Sequence, residues 1–222
     1  MSKVSKGISD KARKSPGRYN GDDIKGNGVV TAVAESLEES VSAVNRINIR
    51  IIAVKIERKE GYWRVISVYA PQAGCAEFEK HEFYISLDDA IRPIPEGDYI
   101  NIGGDLNGHV GSESGRLART HEGKGIGVRN EEGERVLDLA LPRELAVSST
   151  FLAKRKTQKI TCSSGGKETE IDHVLVRRSS LETVKNTKVL PGEELATQRR
   201  PLLADTAIEL PKKSRTRTEP RI

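Results

Sequence analysis

A mixed α/β sandwich is the fold class the sequence predicts, on three observations. Short apolar or alternating strand segments outnumber helical ones. The helical segments fall between strands without a regular βαβ alternation, which predicts mixed or antiparallel sheets. The chain of 222 residues suits one domain with its own buried core.

The elements follow in order. Residues 1–27 are rich in Lys, Ser, Gly and Asp without apolar periodicity, and read as a disordered basic lead. Residues 28–34 predict a first strand. Residues 49–57 predict a second, in which Ile49 and Ile51 alternate while Ile52, Val54 and Ile56 supply another apolar face. Residues 62–69 predict a third, stopped by Pro71. In residues 77–91, Phe83, Leu87, Ala90 and Ile91 recur at the spacing of a helix packed by one face, and Pro93 and Pro95 end it. Residues 99–102 form a short strand running into Gly103-Gly104-Asp105-Leu106-Asn107-Gly108, and residues 132–141 a second helix. Further strands fit 145–149, 158–162, 170–176, 183–190 and 202–210. Residues 211–222 read as a basic tail, leaving 28–210 as the domain.

Charge follows that division. The chain has 37 Lys/Arg against 32 Asp/Glu, a net +5. Residues 1–25 hold seven basic and three acidic side chains and residues 211–222 hold five and one, which leaves 25 basic against 28 acidic between them. Basic ends on a mildly acidic domain fit polyanion-binding tails or plain solvated linkers, and argue against a basic groove spanning the whole domain. No segment approaches the roughly 18–20 apolar residues of a membrane helix, and the polar start lacks the apolar stretch of a secretory signal. Cys75 and Cys162 have no Cys-x-x-Cys partner. Their number predicts a reducing, intracellular compartment, nuclear or cytoplasmic.

Three segments can carry chemistry. In the first, an apolar strand delivers Asp105, Asn107 and His109 at alternate positions, a carboxylate, an amide and an imidazole on one side of a sheet end. The same residues also fit a plain Asn-Gly turn capped by Asp105. The second is Glu170-Ile171-Asp172-His173, where an ionisable residue inside an apolar strand requires a polar pocket or a partner; strand alternation sends Asp172 and His173 to opposite faces. The third is Tyr69, ending a strand before Pro71, whose phenol either donates to a phosphate or packs with a wet hydroxyl. Gly123-Lys124-Gly125-Ile126-Gly127 lacks the phosphate-loop spacing. His81 and His121 lack metal-ligand spacing and read as surface residues.

Taken in order, Ser67-Val68-Tyr69-Ala70-Pro71, Gly103-Gly104-Asp105-Leu106-Asn107-Gly108, Ser149-Thr150-Phe151 and Ile171-Asp172-His173-Val174-Leu175 resemble the endonuclease/exonuclease/phosphatase family. With Gly127-Val128-Arg129-Asn130-Glu131-Glu132-Gly133 added, the match is nearest to endonuclease domains of non-LTR retrotransposons and to the craniofacial development protein 2-like proteins derived from them. The resemblance spans residues 28–210. It implies a four-layer α/β sandwich and Mg²⁺-dependent hydrolysis of DNA phosphodiesters. It further implies that Asp105 orients or deprotonates the attacking water, Asn107 hydrogen-bonds the phosphate, Tyr69 contacts a phosphate oxygen, and Asp172 orients a catalytic histidine.

Two departures bear on activity. Relatives commonly read Thr-Gln-His-Arg at the last motif, whereas this chain reads Thr197-Gln198-Arg199-Arg200-Pro201, so Arg199 stands at the histidine position. A guanidinium holds phosphate or pairs with Asp172 but does not cycle a proton, and losing one general acid/base costs about 10²–10⁴ in rate. The family's opening strands, with a phosphate-contacting asparagine and the principal metal-ligand glutamate, would precede Gly28, yet residues 1–27 contain no apolar strand. The metal ligands are therefore unassigned. Cys162 also stands where relatives usually carry Trp. The expectation is an endonuclease-like domain with activity weakened or lost; the alternative is a non-catalytic nucleic-acid or phosphate-binding module in which Arg199 and Arg200 grip the substrate.

Overall fold

The computed structural model describes residues 28–190 and 198–209. The basic lead and basic tail lie outside the described residues. The elements are α1 (Glu35–Glu38), β1 (Val41–Asn48), β2 (Ile51–Glu57), β3 (Tyr62–Tyr69), α2 (Glu77–Ile91), β4 (Tyr99–Asp105), α3 (Glu131–Ala140), β5 (Leu145–Val147), β6 (Cys162–Ser164), β7 (Lys167–Thr169), β8 (Asp172–Arg177), β9 (Val184–Val189) and β10 (Leu202–Thr206).

Six strands form one mixed sheet in the order β1-β2-β3-β4-β8-β5. Only β3 and β4 run parallel, because α2 carries the chain back across one face between them. Side-chain alternation divides the sheet. Ile51, Ile66, Val68, Ile100, Ile102 and Leu175 point to the face covered by Phe83, Leu87 and Ile91 of α2 and Val136, Leu137 and Ala140 of α3. On the opposite face, Val174 and Val176 pack against Val184, Leu202 and Ala204 of the two-stranded β9–β10 sheet. Among the described residues the sandwich thus comprises a helical layer, the six-stranded sheet and a smaller second sheet.

Helix α2 has no side-chain cap, but Glu77 and Glu79 in its first turn suit the positive end of its dipole. At the start of α3, Asn130 Oδ1 accepts from Gly133 N at 2.9 Å and also from His109 N at 2.8 Å. One amide oxygen therefore caps the helix and ties it to the loop after β4. Gly133 lies so close to that loop that a Cβ would collide with the His109 carbonyl oxygen.

The segment 28–34 is not the predicted strand. It is irregular, held by Val29 N donating to Ile49 O at 3.0 Å, and it buries Val29 and half-buries Val33 on the cluster of Ile52, Val54, Ile56 and Tyr69. Its apolar run reflects burial rather than ladder pairing. The edge strand β1, unpredicted, pairs with β2 through a tight turn in which Asn48 Oδ1 accepts from Arg50 N at 2.8 Å. This turn also moves the start of β2 from Ile49 to Ile51. Residues 158–162 are a 3₁₀ turn at Lys156–Gln158 followed by irregular chain up to β6. The strand predicted over 145–149 ends at Val147 and becomes the 3₁₀ turn Ser148–Thr150.

Candidate functional site

Register builds the site. Tyr69 of β3 pairs with Asp105 of β4, and Asp105 pairs with Asp172 of β8, so the three lie in one row on the face opposite the helices. Close passage of β3 and β4 one register position before this row excludes a side chain at Gly104, where a Cβ would enter the Val68 carbonyl oxygen. Asp105 and Asp172 end β4 and begin β8, beside the loops that leave the sheet.

Arg199 completes the row. Its Nη1 lies 2.6 Å from Asp105 Oδ2 and 3.7 Å from Asp172 Oδ2. The backbone holds it there: Arg199 bridges Cys162, Ser163 N donates to Gln198 O at 2.9 Å, and Arg200 N donates to Thr161 O at 2.9 Å. Gln198 takes φ +82°, a conformation a non-glycine residue adopts only at a cost. The strained turn thus delivers the arginine onto the carboxylates. The side chain of Arg200 is half-buried, with no ion pair among the described residues.

Electrostatics follow from this crowding. Burial raises the Asp105 carboxyl above its ordinary range, while Arg199 and the Asn107 N–H pull it down. Asp172 is pushed up to about 7 by burial and then by the neighbouring Asp105 charge, with Thr161 and Arg199 acting in the opposite sense. Burial works against the Arg199 charge, but Asp105 and Asp172 outweigh it and keep the guanidinium cationic.

The alternation expected for Asp105, Asn107 and His109 stops with β4. Asn107 has φ +51°, its N–H donates to Asp105 Oδ1 at 3.0 Å and its Nδ2 donates to Ala70 O at 2.8 Å. The Asx turn and the candidate site therefore share the same residues, and the Asn107 amide is engaged with backbone. Tyr69 lies in the row, but its ring packs with Val29, Ile52, Val54 and Ile56 and its hydroxyl accepts from Gln72 Nε2 at 3.3 Å.

His173 faces away from Asp172 as strand alternation predicts, fully buried with Nε2 2.8 Å from Gly108 O. His121 corrects the sequence reading. It is fully buried, with Nε2 3.0 Å from Gly111 O, while Nδ1 accepts from Gly123 N at 3.1 Å. A Gly-rich loop hid this role because backbone groups, not side chains, enclose the ring. His81 is exposed as expected.

The sequence reading also missed buried Lys80, whose Nζ donates to Glu77 at 2.8 Å and to Glu132 at 2.9 Å between α2 and α3. The i,i+3 spacing of Glu77 and Lys80 was the only local signal. Buried Lys159 carried none.

The fold that carries this row is shared with solved exonuclease and endonuclease domains. The 3'-5' exonuclease NExo from Neisseria meningitidis superposes with a TM-score of 0.53 at 18% identity, covering 72% of this chain and 65% of that one. The endonuclease domain of TRAS1, a telomere-specific non-LTR retrotransposon, gives 0.58 at 13% identity, covering 86% of this chain and 80% of the domain. By sequence, the chain is similar to craniofacial development protein 2 of Bos taurus, 28% identical over 92% of this chain, and of Tragulus javanicus, 27% identical over the same share. The chain spans 36–37% of the length of these curated relatives. No family model matches it.

The family resemblance implies magnesium, and the residues present do not fit it. Mg²⁺ takes six oxygen ligands and is usually held by one or two carboxylates together with water and substrate phosphates, so it needs at least one carboxylate free to receive it. Among the described residues no group of three or more His, Cys, Asp or Glu side chains could hold a metal, and the facing pair Asp105 and Asp172 already shares the Arg199 cation.

Proposed function

We propose that this chain is a retroelement-derived nuclease-fold domain that engages nucleic-acid phosphates without hydrolysing them. The observation that carries the reading is the 2.6 Å contact between Arg199 Nη1 and Asp105 Oδ2. A hydrolytic site needs a carboxylate free to orient water, a group that cycles a proton, and a cation on the phosphate. Here the arginine neutralises the carboxylate, stands where the family's histidine is expected, and carries a proton it does not release. Asn107 gives one amide N–H to Ala70 O, which leaves its expected phosphate contact to the second N–H. For phosphate binding the same chain retains the nuclease fold, and one solved neighbour, the 3' phosphatase NExo from Neisseria, is bound to a product DNA hairpin.

Nicking of supercoiled plasmid with Mg²⁺ at low salt tests the reading, comparing the natural chain with Asp105→Ala and Arg199→His. The expected result is retention of the plasmid by DNA-binding protein without nicking by the natural chain or Asp105→Ala. Nicking by the natural chain that Asp105→Ala abolishes overturns it. Nicking restored in Arg199→His alone would identify the arginine as the single block.

A further inference from the structure

Beside the Ser148–Thr150 turn lies an open cavity of about 590 Å³, lined by Lys124, Ala153, Lys154, Arg155 and Lys159. Four of its five lining residues are cationic, although the domain as a whole is mildly acidic. The floor is unusual. Lys159 is only 4% exposed, and its Nζ donates to Ser149 O at 2.9 Å and to Lys124 O. An ammonium carries three protons, so these two carbonyls leave one donor.

Counter-charge is sparse. Lys124 pairs with Glu122 at 3.0 Å and Lys156 on the adjoining turn with Glu168 at 3.5 Å. Among the described residues, Lys154 and Arg155 have no carboxylate partner. Buried Glu170 offsets part of the Lys159 charge, yet its Oε2 has no hydrogen-bond partner among the described residues. Burial lowers the Lys159 ammonium pKa and Lys124 and Lys154 lower it further, with Glu170 acting against them. A shallow, open cluster of like charges that includes a desolvated cation is stabilised by an anion of matching charge density.

We propose that this cavity is a binding site for closely spaced phosphate groups, distinct from the Asp105–Asp172–Arg199 row and supplied by a nucleic-acid backbone or a free polyphosphate. The proposal deepens the reading above by naming where the phosphates sit. Its position is consistent with a strand that also reaches the row: Lys159 is two residues before Thr161, a chain reach of about 7 Å. Thr161 Oγ1 accepts from Asp172 N at 3.2 Å.

Fluorescence anisotropy with a short single-stranded DNA, read across a salt series, tests it together with melting in inorganic tripolyphosphate. The variants are Lys154→Ala/Arg155→Ala, on the cavity, and Lys185→Ala/Lys188→Ala on β9, which removes the same charge elsewhere. The expected result is an affinity loss of about tenfold at low salt and a salt slope shallower by about 1.4 in the cavity variant, for two phosphate contacts at about 0.7 each, with smaller changes in the β9 variant. Equal losses in the two variants, with DNA binding by the natural chain intact, overturn the cavity and leave the wider reading standing. If the natural chain binds no DNA but tripolyphosphate raises its melting temperature only while Lys154 and Arg155 are present, the cavity stands and the nucleic-acid reading falls. Response to neither ligand overturns both.

Discussion

Arg199 and Asp105 are joined at 2.6 Å although Asp105 is almost fully buried and the arginine side chain is one-third exposed. The pair lies between two regimes: exposed ion pairs contribute little, whereas breaking a buried one leaves a charge that nothing else compensates. Arg199→Ala is therefore expected to destabilise the fold by about 1–3 kcal/mol. Asp105→Asn in the Arg199→Ala background is expected to recover part of that loss. Urea unfolding of the two single variants and the double variant measures the coupling, and strict additivity would show that the contact contributes nothing.

The pH dependence follows from Asp172. Its folded carboxyl is raised to about 7 by burial and by Asp105, above the ordinary value near 3.9. The folded state then holds more protons than the unfolded state between these values, so this group makes stability fall as pH rises from about 4 to about 7. His109 and His121, both lowered chiefly by burial, act in the opposite direction over part of that window. The quantity to measure is thus the stability difference between the natural chain and Asp172→Asn at pH 4.5 and pH 8. It should shift toward the variant as pH rises, and a flat difference contradicts the assignment.

Packing of α2 rests on Leu87, fully buried between the helix and the sheet. Leu87→Ala is expected to cost about 2–5 kcal/mol. A change in unfolding free energy below about 1 kcal/mol, measured in urea, would show that α2 contributes little to the core.

His173 holds the loop that carries Asn107. Replacing it with Leu removes the partner of the buried Gly108 carbonyl, at about 1–3 kcal/mol. Hydrogen exchange is the discriminating readout. The Asn107 amide, bonded to Asp105 Oδ1, should exchange faster in the variant, while the amides of β2 and β3 change less.

Much of the row was legible because Asp105, Asp172 and Arg199 lie in ordered motifs, and strand alternation separated Asp172 from His173. The meeting of Arg199 with Asp105 was not, since it depends on the turn at Gln198 and the bridge to Cys162, neither of which has a periodic signature. Strand β1 escaped because an edge strand that leaves Val44 and Ile47 exposed lacks the alternation of a half-buried one. The segment 28–34 misled for the opposite reason: an apolar run reports burial, and burial alone does not distinguish a strand from irregular chain packed on a sheet. Lys159 and His121 were hidden by partners that are backbone carbonyls and amides, which every sequence supplies equally.

The contact between His173 and Gly108 closes 65 residues of chain, and the β4–β8 ladder beside it is equally non-local. The hairpin of β1 and β2 is local and free to form early, whereas ordering β8 against β4 must first overcome the entropy of that loop. Arg199 arrives later still along the chain. Both aspartates are thus made before their cation, and cleavage ahead of Arg199 would leave a domain with its two carboxylates facing one another and its final ladder unlatched.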